Sequence, residues 1–503
     1  SSAKSASAAS AANDTVDEDG KVNGIMYQEG LPLVDEGDYT FSIFCDDSSE
    51  SGEFIMLDEF KKQTNVDVDL KIYPYETATE RLNLDLNSGD YADVIGGWTL
   101  SDNAILTYGV NQGVFIPLED YFEKYCPNIS AILDLPGVRE KMTAPDGHIY
   151  TIPYVCADST VGYSPYINTK WLENVGMSMP TTTDEFEAVL KAFKEQDANG
   201  NGDASDEIPF STDPNNKHIE AMAGYFGLPM NKLGIAIQNE KVVYGGVSDT
   251  YREFLSWFHK LYAEGLVDVE LYTQDSSTWE GKGNQDLYGV SIAYGSGEFT
   301  GIPAAEERGD FDSMPVLNTD KDGIWLRDTE GFSVYRTQAV ITNKAEHPEI
   351  ICRWFDNAFA LENGIGCNRG PVGVIVNKED DGYHAIDTTT LSEEDQEKYS
   401  WGNLWPQSLP KYLPADFEFV EEHPMYDEKK ATEEAYEANL TKEIIPSYWI
   451  DLDKIDTFSD TNTAIKDFFE QQQAQFVCGE LDIDNDADWQ AYVDGMYSLG
   501  LED

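Results

Sequence analysis

The sequence predicts an α/β fold in which helices cover a parallel sheet, and three observations lead to this prediction. Strand-like and helix-like segments alternate between residues 39 and 95, which is the pattern of βαβ units. The chain has 503 residues, so two or three domains are expected. Apolar residues make up 41% and aromatic residues 12% of the chain, enough to build the cores of such domains.

The first βαβ series is the clearest part of the pattern. Strands are predicted at Tyr39–Phe44, Val66–Tyr73 and Ala92–Ile95, and helices at Glu53–Gln63 and Thr79–Ser88. The strands are rich in β-branched and aromatic residues, whereas the first helix repeats apolar residues with helical spacing. Ligands of parallel sheets bind at the carboxyl ends of strands. Trp98, which follows Gly96 and Gly97 after the third strand, therefore lies where a site is expected.

The rest of the chain continues to mix helices and strands, without an internal repeat. An Asp146-Gly147 pair predicts a hairpin turn. Later strands are predicted at Val161–Asn168, Val290–Tyr294 and Phe332–Ile341. Later helices are predicted at Trp171–Gly176, Thr183–Glu195, Tyr251–Glu264, Pro348–Asn363, Thr461–Phe476 and Trp489–Leu499.

The charge of the chain excludes some partners. It carries 94 acidic and 33 basic residues, a net charge of −61. Such a surface repels nucleic acids and anionic membranes and favours solubility. No apolar run approaches the ~18–20 residues that span a bilayer. Residues 1–37 begin with a small, polar, low-complexity stretch and are predicted to form a flexible tether. A Ser/Ala tether of this kind is typical of the segment behind a lipid-anchoring cysteine.

A calcium site is predicted in the segment Asp197–Glu207. Oxygen-bearing side chains recur at alternate positions, as a loop that surrounds Ca²⁺ requires, and Gly202 occupies the position of the sharp turn. The predicted ligands are Asp197, Asn199, Asn201, Asp203, Asp206 and Glu207. The loop differs from a standard EF-hand because its twelfth position is Ile208 and the closing acids precede it. The alternative is a solvated turn. A second acidic ladder at residues 482–486 has Ala487 where glycine is needed, so no metal is predicted there.

The order of these elements resembles the extracellular solute-binding proteins of ABC transporters, in particular the oligosaccharide-binding lipoproteins of Gram-positive bacteria. The stretches that carry the resemblance are EFIMLDEFKKQTNVDVDLKIYP, LNSGDYADVIGGW, GHIYTIPY, YINTKWLENVG, DANGNGDASDEIPF and the tail FVCGELDIDNDADWQAYVDGMYSLGLED. Together they extend from about Asp38 to Asp503.

The resemblance implies a two-lobed, periplasmic-binding-protein-like fold of type II, with hinge strands and a ligand cleft between the lobes. Lobe 1 is expected at residues 38–158 plus about 334–395, and lobe 2 at residues 159–333 plus about 396–503 with the calcium loop 197–207. The resemblance further implies a monomer that delivers its ligand to a membrane permease at the extracellular face of the cell membrane, held there by a lipid anchor. Calcium is expected to be structural.

A neutral oligosaccharide, derived from plant or host glycans, is the expected ligand. Sugars present apolar C–H faces ringed by hydroxyls, so their sites combine aromatic platforms with a few polar groups. Loop and strand-end positions supply the candidates, which are Trp98, Asp158, Trp279, Glu298, Phe299, Trp325, Arg327, Trp401 and Trp405. Several exposed tryptophans would suit a ligand longer than a monosaccharide.

Two alternatives stay open at this stage. The same fold could bind a peptide or another small solute, although this would need cationic groups for a carboxylate. A glycoside hydrolase would need only two suitably spaced carboxylates, and among 94 acids such pairs occur by chance. No H-E-x-x-H, G-x-S-x-G, P-loop or dinucleotide-binding motif is present, so binding without catalysis is favoured.

Overall fold

The chain forms two compact units in a computed structural model that describes residues 14–47, 52–213, 218–301, 309–414, 416–420, 424–451 and 453–502. Unit 1 comprises Ser1–Asp158, Phe332–Glu421 and Ser447–Asp456. Unit 2 comprises Ser159–Gly331, Glu422–Pro446 and Thr457–Asp503. Within the described ranges, none of the helices is both long enough and apolar enough to cross a membrane.

Unit 1 is built on a mixed five-stranded sheet. Its strand order is Val66–Tyr73, Tyr39–Asp46, Val94–Gly96, Phe332–Ile341 and Thr151–Ala157. The first three strands run parallel, as predicted. The strand Phe332–Ile341 is antiparallel to both of its neighbours. Unit 1 also has two short antiparallel strand pairs. The strand Lys21–Val22 pairs with Met26–Tyr27, and Val376–Glu379 pairs with Gly382–Ala385.

Helices flank this sheet and bury its apolar side chains. They are Ile55–Thr64, Tyr75–Ser88, Asp102–Ala104 continuing as a π-helix Ile105–Asn111, Glu119–Tyr125, Pro127–Leu133, Val138–Met142, Pro348–Ala358, Leu361–Arg369, Glu393–Lys398 and the 3₁₀ turns Thr388–Thr390 and Trp401–Asn403. The main core of unit 1 includes Phe41, Phe60 and Trp354, whose rings meet edge to face.

Three features of unit 1 differ from the sequence-based expectations. First, the tether predicted for residues 1–37 does not extend that far. Residues 1–13 lie outside the described residues, but Val22, Met26, Leu33 and Val34 are buried in the unit 1 core. Burial of these apolar side chains fixes the segment to the unit.

Second, the chain turns at Asp146-Gly147 but does not form the predicted hairpin. The Gly147 N–H donates to the Ala144 carbonyl (2.9 Å), whereas the following strand, Thr151–Ala157, pairs with Phe332–Ile341.

Third, residues 396–421, expected in lobe 2, belong to unit 1. Trp405 packs against Phe60 (ring centroids 5.0 Å apart). The Val155 N–H also donates to the Lys411 carbonyl (3.1 Å). These contacts attach the segment to the edge of the unit 1 sheet.

Unit 2 contains a four-stranded sheet in the order Phe311–Ser313, Ser164–Asn168, Tyr288–Ala293 and Ile208–Thr212. A separate hairpin joins Ile235–Gln238 to Lys241–Tyr244. The helices are Thr169–Val175, Thr183–Glu195, Asp249–Ala263, Ser276–Asn284, Gly297–Thr300, Pro424–Tyr436, Ile455–Cys478, which begins at the unit boundary, and Asp486–Ser498. The 3₁₀ segments are Ile219–Phe226, Gly245–Val247 and Glu437–Asn439. The last two helices contribute Phe476, Trp489 and Met496 to the core.

Candidate functional site

A row of aromatic side chains forms an exposed face of unit 1. Trp98 meets the ring of Tyr335 edge to face (centroids 5.2 Å apart), and Tyr335 stacks on Tyr154 (5.5 Å). The Lys411 ammonium lies 5.1 Å from the Tyr154 ring centroid and 5.9 Å from that of Trp401. Trp98 is 44% and Trp401 55% exposed. We call Trp98, Tyr335, Tyr154 and Trp401 the unit 1 aromatic surface.

Strand ends and strand register position this surface. Trp98 follows the strand Val94–Gly96 after one glycine, at the carboxyl end of a parallel strand. Tyr335 and Tyr154 are partners in the register of two antiparallel strands, which places their side chains on the same face of the sheet. A bulge follows between Tyr335 and Ala339.

Polar groups accompany the aromatic rings. The Tyr335 hydroxyl donates to Asp158 Oδ2 (3.2 Å) at the end of the strand Thr151–Ala157. Lys411 is only 2% exposed, and burial lowers its pKa to about 8. The surface thus combines flat apolar faces with a carboxylate, a combination suited to polyhydroxylated ligands, while the buried Lys411 ammonium lies near two of its rings.

Unit 2 has a second aromatic and polar group. Tyr163 stacks on His218 (centroids 4.0 Å apart) and meets Tyr294 edge to face (6.1 Å). Lys429 lies over the Tyr294 ring (4.0 Å) and donates to the Tyr294 carbonyl (2.6 Å). Burial lowers the pKa of His218 to about 3, so its imidazole is neutral. The predicted Glu298 belongs to this group because its Oε2 accepts from the Tyr294 N–H (2.9 Å).

Five of the predicted residues lie elsewhere. Trp279, Phe299, Trp325 and Trp405 are buried in hydrophobic cores, and Trp279 Nε1 donates to Ser291 Oγ (3.1 Å). Arg327 donates to the Thr441 carbonyl (3.2 Å) and pairs with Glu437. The four aromatic residues stabilise the cores and present no face to a ligand, and Arg327 fixes a surface loop. The structure therefore brings together Trp98, Asp158 and Trp401, and separately places Glu298 in the unit 2 group.

Sequence reasoning missed Tyr154, Tyr335 and Lys411. Tyr154 and Tyr335 come from strands that are distant in the chain and meet only through the sheet register. The stretch GHIYTIPY places Tyr154 four residues before the predicted Asp158, and this proximity was the sequence signal for Tyr154 as a candidate.

The predicted calcium loop is folded by its own side chains. Backbone N–H groups of Gly202, Asn201 and Asp203 donate to Asp197 Oδ2 (3.0 Å), Asn199 Oδ1 (3.0 Å) and Asn201 Oδ1 (2.7 Å). The glycines at 200 and 202 have φ angles of 75° and 95°, which glycine adopts without strain. Both Asn side chains donate to the two oxygens of Asp206 (3.1 and 2.7 Å). The side chains at alternate positions are thus held in a single tight turn.

Two oxygens of this loop fit a metal ion. Asp197 Oδ1 and Glu207 Oε2 are buried and have no hydrogen-bond partner, and burial raises the pKa of Glu207. An unpartnered buried oxygen is costly, and a hard cation is a partner that carboxylate oxygens accept. Ser205, whose hydroxyl donates to Asp203 Oδ1 (2.6 Å), adds an oxygen at the ninth position that was not predicted. Carboxylate, amide and hydroxyl oxygens together form the donor set that Ca²⁺ prefers.

Known proteins share this fold and part of the sequence. The family model of the bacterial extracellular solute-binding protein matches residues 48–364. The fructooligosaccharide ABC transporter substrate-binding protein FusA of Streptococcus pneumoniae is 33% identical over 335 residues, 64% of this chain and 61% of that protein. Lipoprotein LipO of Bacillus subtilis is 28% identical over 280 residues, 54% of this chain and 52% of LipO. The chain thus spans roughly half to three fifths of these relatives' lengths.

Solved structures extend the similarity over nearly the whole chain. FusA in complex with kestose matches with a TM-score of 0.79 and 26% identity, covering 92% of this chain and 96% of that one. A human-milk-oligosaccharide-binding solute-binding protein from Bifidobacterium longum infantis shares the fold, with a TM-score of 0.75, 21% identity and coverage of 93% and 97%. The two-unit α/β architecture and the match over 48–364 lead to one conclusion: this chain belongs to the bacterial extracellular solute-binding protein family.

Proposed function

We propose that the chain is the substrate-binding component of an ABC importer, which captures a neutral oligosaccharide and delivers it to a membrane permease. In this proposal the protein acts at the extracellular face of the membrane, held by a lipid anchor, and carries no catalytic activity. The observation that carries the proposal is the unit 1 aromatic surface, with its two half-exposed tryptophans and the carboxylate of Asp158.

The chemistry of the surface supports a sugar over a peptide. The two half-exposed tryptophans, Trp98 and Trp401, offer two apolar platforms, which suits a ligand of more than one sugar unit. A net charge of −61 disfavours polyanionic ligands by long-range repulsion. One relative supports the class of ligand, since FusA is named for fructooligosaccharides and has been solved with kestose.

Calcium is part of the proposal as a structural ion. Asp197, Asn199, Asn201, Asp203, Asp206 and Glu207 would hold it, together with Ser205. The ion would neutralise carboxylates that otherwise lie close together in one turn. A solved EF-hand mutant of FusA in complex with fructo-nystose indicates that this relative has an EF-hand, which supports the assignment here.

Isothermal titration against defined glycans tests the proposal. The panel contains kestose, nystose, neutral gluco- and galacto-oligosaccharides, oligogalacturonides and short peptides, each incubated overnight and analysed by mass spectrometry. We expect saturable binding of one neutral series and no product. Binding of oligogalacturonides or peptides alone would contradict the ligand class, and cleavage of a bound glycan would contradict the absence of catalysis.

A further inference from the structure

A buried carboxylate lies directly beneath the turn that carries Trp98. Asp46 ends the strand Tyr39–Asp46 and is fully buried. Its Oδ1 accepts from the Trp98 N–H (3.0 Å), and its Oδ2 accepts from the Thr99 N–H (2.5 Å). The Thr99 hydroxyl donates to the same Oδ2. One carboxylate thus binds the backbone of both residues at the base of the exposed ring.

The backbone before Trp98 is shaped around this carboxylate. Gly97 has a φ angle of 131°, which other residues rarely adopt. A Cβ atom at position 97 would lie 2.2 Å from Asp46 Oδ1. The Gly97 N–H donates to the Gln338 carbonyl (2.8 Å) on the adjacent strand. The turn is therefore fixed on one side by the sheet and on the other by Asp46.

The cost of this arrangement argues for a role beyond stability. Among the hydrogen bonds of the described residues, the partners of the Asp46 carboxylate are uncharged N–H and O–H groups. Burying a carboxylate without a cation is unfavourable, and an apolar residue of similar size would stabilise a core more. The carboxylate instead fixes the conformation of the Gly97–Thr99 backbone, because charged acceptors make short and directional hydrogen bonds.

We propose that Asp46 is a positioning residue, which fixes the Gly97–Thr99 turn so that the Trp98 ring is pre-organised as a ligand platform. The proposal rests on the sugar-binding role proposed for the unit 1 aromatic surface. The ring stands edge-on to Tyr335 while 44% exposed, so few packing contacts hold it in place. A platform that is rigid before binding does not lose conformational freedom when the ligand arrives, and this raises affinity.

Asp46→Asn is the test variant, and Asp93→Asn is its matched control. The asparagine keeps the shape of Asp46 but presents an NH₂ group to one of the backbone N–H donors. Asp93 Oδ2 accepts from the Ser42 N–H and from the Ser42 hydroxyl, both at 2.8 Å, on the same strand that ends in Asp46. Both variants lose a carboxylate that accepts an N–H and an O–H, but only one of the two carboxylates touches the Trp98 turn. Thr99→Val is a milder second variant in case Asp46→Asn does not fold.

The first readout needs no ligand. The ten tryptophans are labelled as 5-fluorotryptophan, and the Trp98 signal is assigned by its loss in Trp98→Phe. We expect the ¹⁹F signal of Trp98 to shift or broaden in Asp46→Asn, to a smaller extent in Thr99→Val, and to be unchanged in Asp93→Asn. An unchanged Trp98 signal in a folded Asp46→Asn protein would overturn the proposal.

The second readout is affinity for kestose, measured by titration calorimetry. We expect Asp46→Asn to weaken binding about ten-fold, since a hydrogen bond to a charged acceptor is lost. In a Trp98→Ala background the same substitution should weaken binding less than about two-fold. A full ten-fold loss in that background would show that Asp46 acts by another route. If the wild-type protein binds none of the glycans, the proposed function fails, while the ¹⁹F measurement still decides the role of Asp46.

Discussion

Replacing Asp197 by alanine tests whether the loop Asp197–Glu207 holds calcium. The substitution removes a carboxylate whose Oδ2 accepts from the Gly202 N–H and whose Oδ1 is buried without a partner. In the metal-bound protein that oxygen would be a ligand, so the variant should lose both the ion and the order of the loop. The matched control is Asp484→Ala in the second acidic ladder, where no metal is predicted. Asp484 Oδ1 accepts from Ser256 Oγ (3.1 Å).

The expected magnitude can be worked from the two unpartnered oxygens. Each buried polar atom without a partner costs about 1–3 kcal/mol, so satisfying both Asp197 Oδ1 and Glu207 Oε2 is worth about 2–6 kcal/mol. Independently, a ligand at 100 to 1,000 times its dissociation constant adds about 2.7–4.1 kcal/mol. Both ranges include a stabilisation of about 3 kcal/mol by calcium, which corresponds to a shift of roughly 6–12 °C in Tm for a domain of 150–250 residues.

Differential scanning calorimetry in 1 mM CaCl₂ and in excess EDTA measures this effect. The wild-type protein and Asp484→Ala should both lose stability when calcium is chelated, whereas Asp197→Ala should unfold at the same low temperature in both buffers. A wild-type Tm that does not respond to chelation would refute the reasoning, as would full calcium stabilisation of Asp197→Ala. Affinity for the glycan identified by the titration panel, measured below both transitions, should change little if the ion is purely structural.

Three further predictions concern unit 1. Trp98→Ala and Trp401→Ala should each weaken kestose binding about ten-fold in calorimetric titrations with little change in Tm, because aromatic contacts of this kind contribute about 0.5–1.5 kcal/mol; Trp405→Ala should instead cost about 3–5 kcal/mol of stability. The pKa of about 8 for buried Lys411 lies below its usual range, so the unfolded chain binds more protons between pH 8 and 10 and stability gains with pH there. Lys411→Met lacks this gain, and its stability relative to wild type in guanidinium titrations should fall by about 3 kcal/mol over that window. Burial raises the pKa of Asp356 to about 6, so the stability that its protonated carboxyl contributes at pH 4 is lost as the pH rises to 6. The stability of Asp356→Asn should therefore gain about 2–3 kcal/mol relative to that of the wild type over this range.

Local patterns predicted local structure well. The helix Thr183–Glu195 has the predicted bounds, and the Thr182 hydroxyl caps it by accepting from the Glu185 N–H (3.2 Å). The strand Phe332–Ile341 also has the predicted bounds. In both cases residue spacing and the flanking residues determine where the element begins and ends, so these bounds can be predicted from the sequence.

Burial of single side chains was harder to predict, because it depends on contacts between distant segments. Trp401 and Trp405 stand four residues apart in one loop with the same turn-rich composition. One is exposed, while the other stacks on Trp354 (centroids 5.7 Å apart) in the core. Likewise, nothing local to Tyr335 indicates that Tyr154 is its partner. The contacts that decide these outcomes form only when the sheet is assembled.

The division of the chain into two units has a consequence for biosynthesis. The chain passes from one unit to the other after Asp158, Gly331, Glu421, Pro446 and Asp456. Neither unit is a contiguous stretch of sequence, and each takes core residues from late segments, such as Trp354 for unit 1 and Trp489 for unit 2.

A nascent chain that has emerged only as far as Gly331 therefore lacks part of the main core of each unit. Contacts between such distant segments are also slow to form. We expect unit 1 to fold only after its last segment, Ser447–Asp456, has left the ribosome, and unit 2 only after the final helix, Asp486–Ser498, has done so. Until then each unit stays unfolded and dependent on chaperones, a state compatible with threading through a narrow export channel. Stop codons before Ser447 should yield protease-sensitive products rather than a folded half.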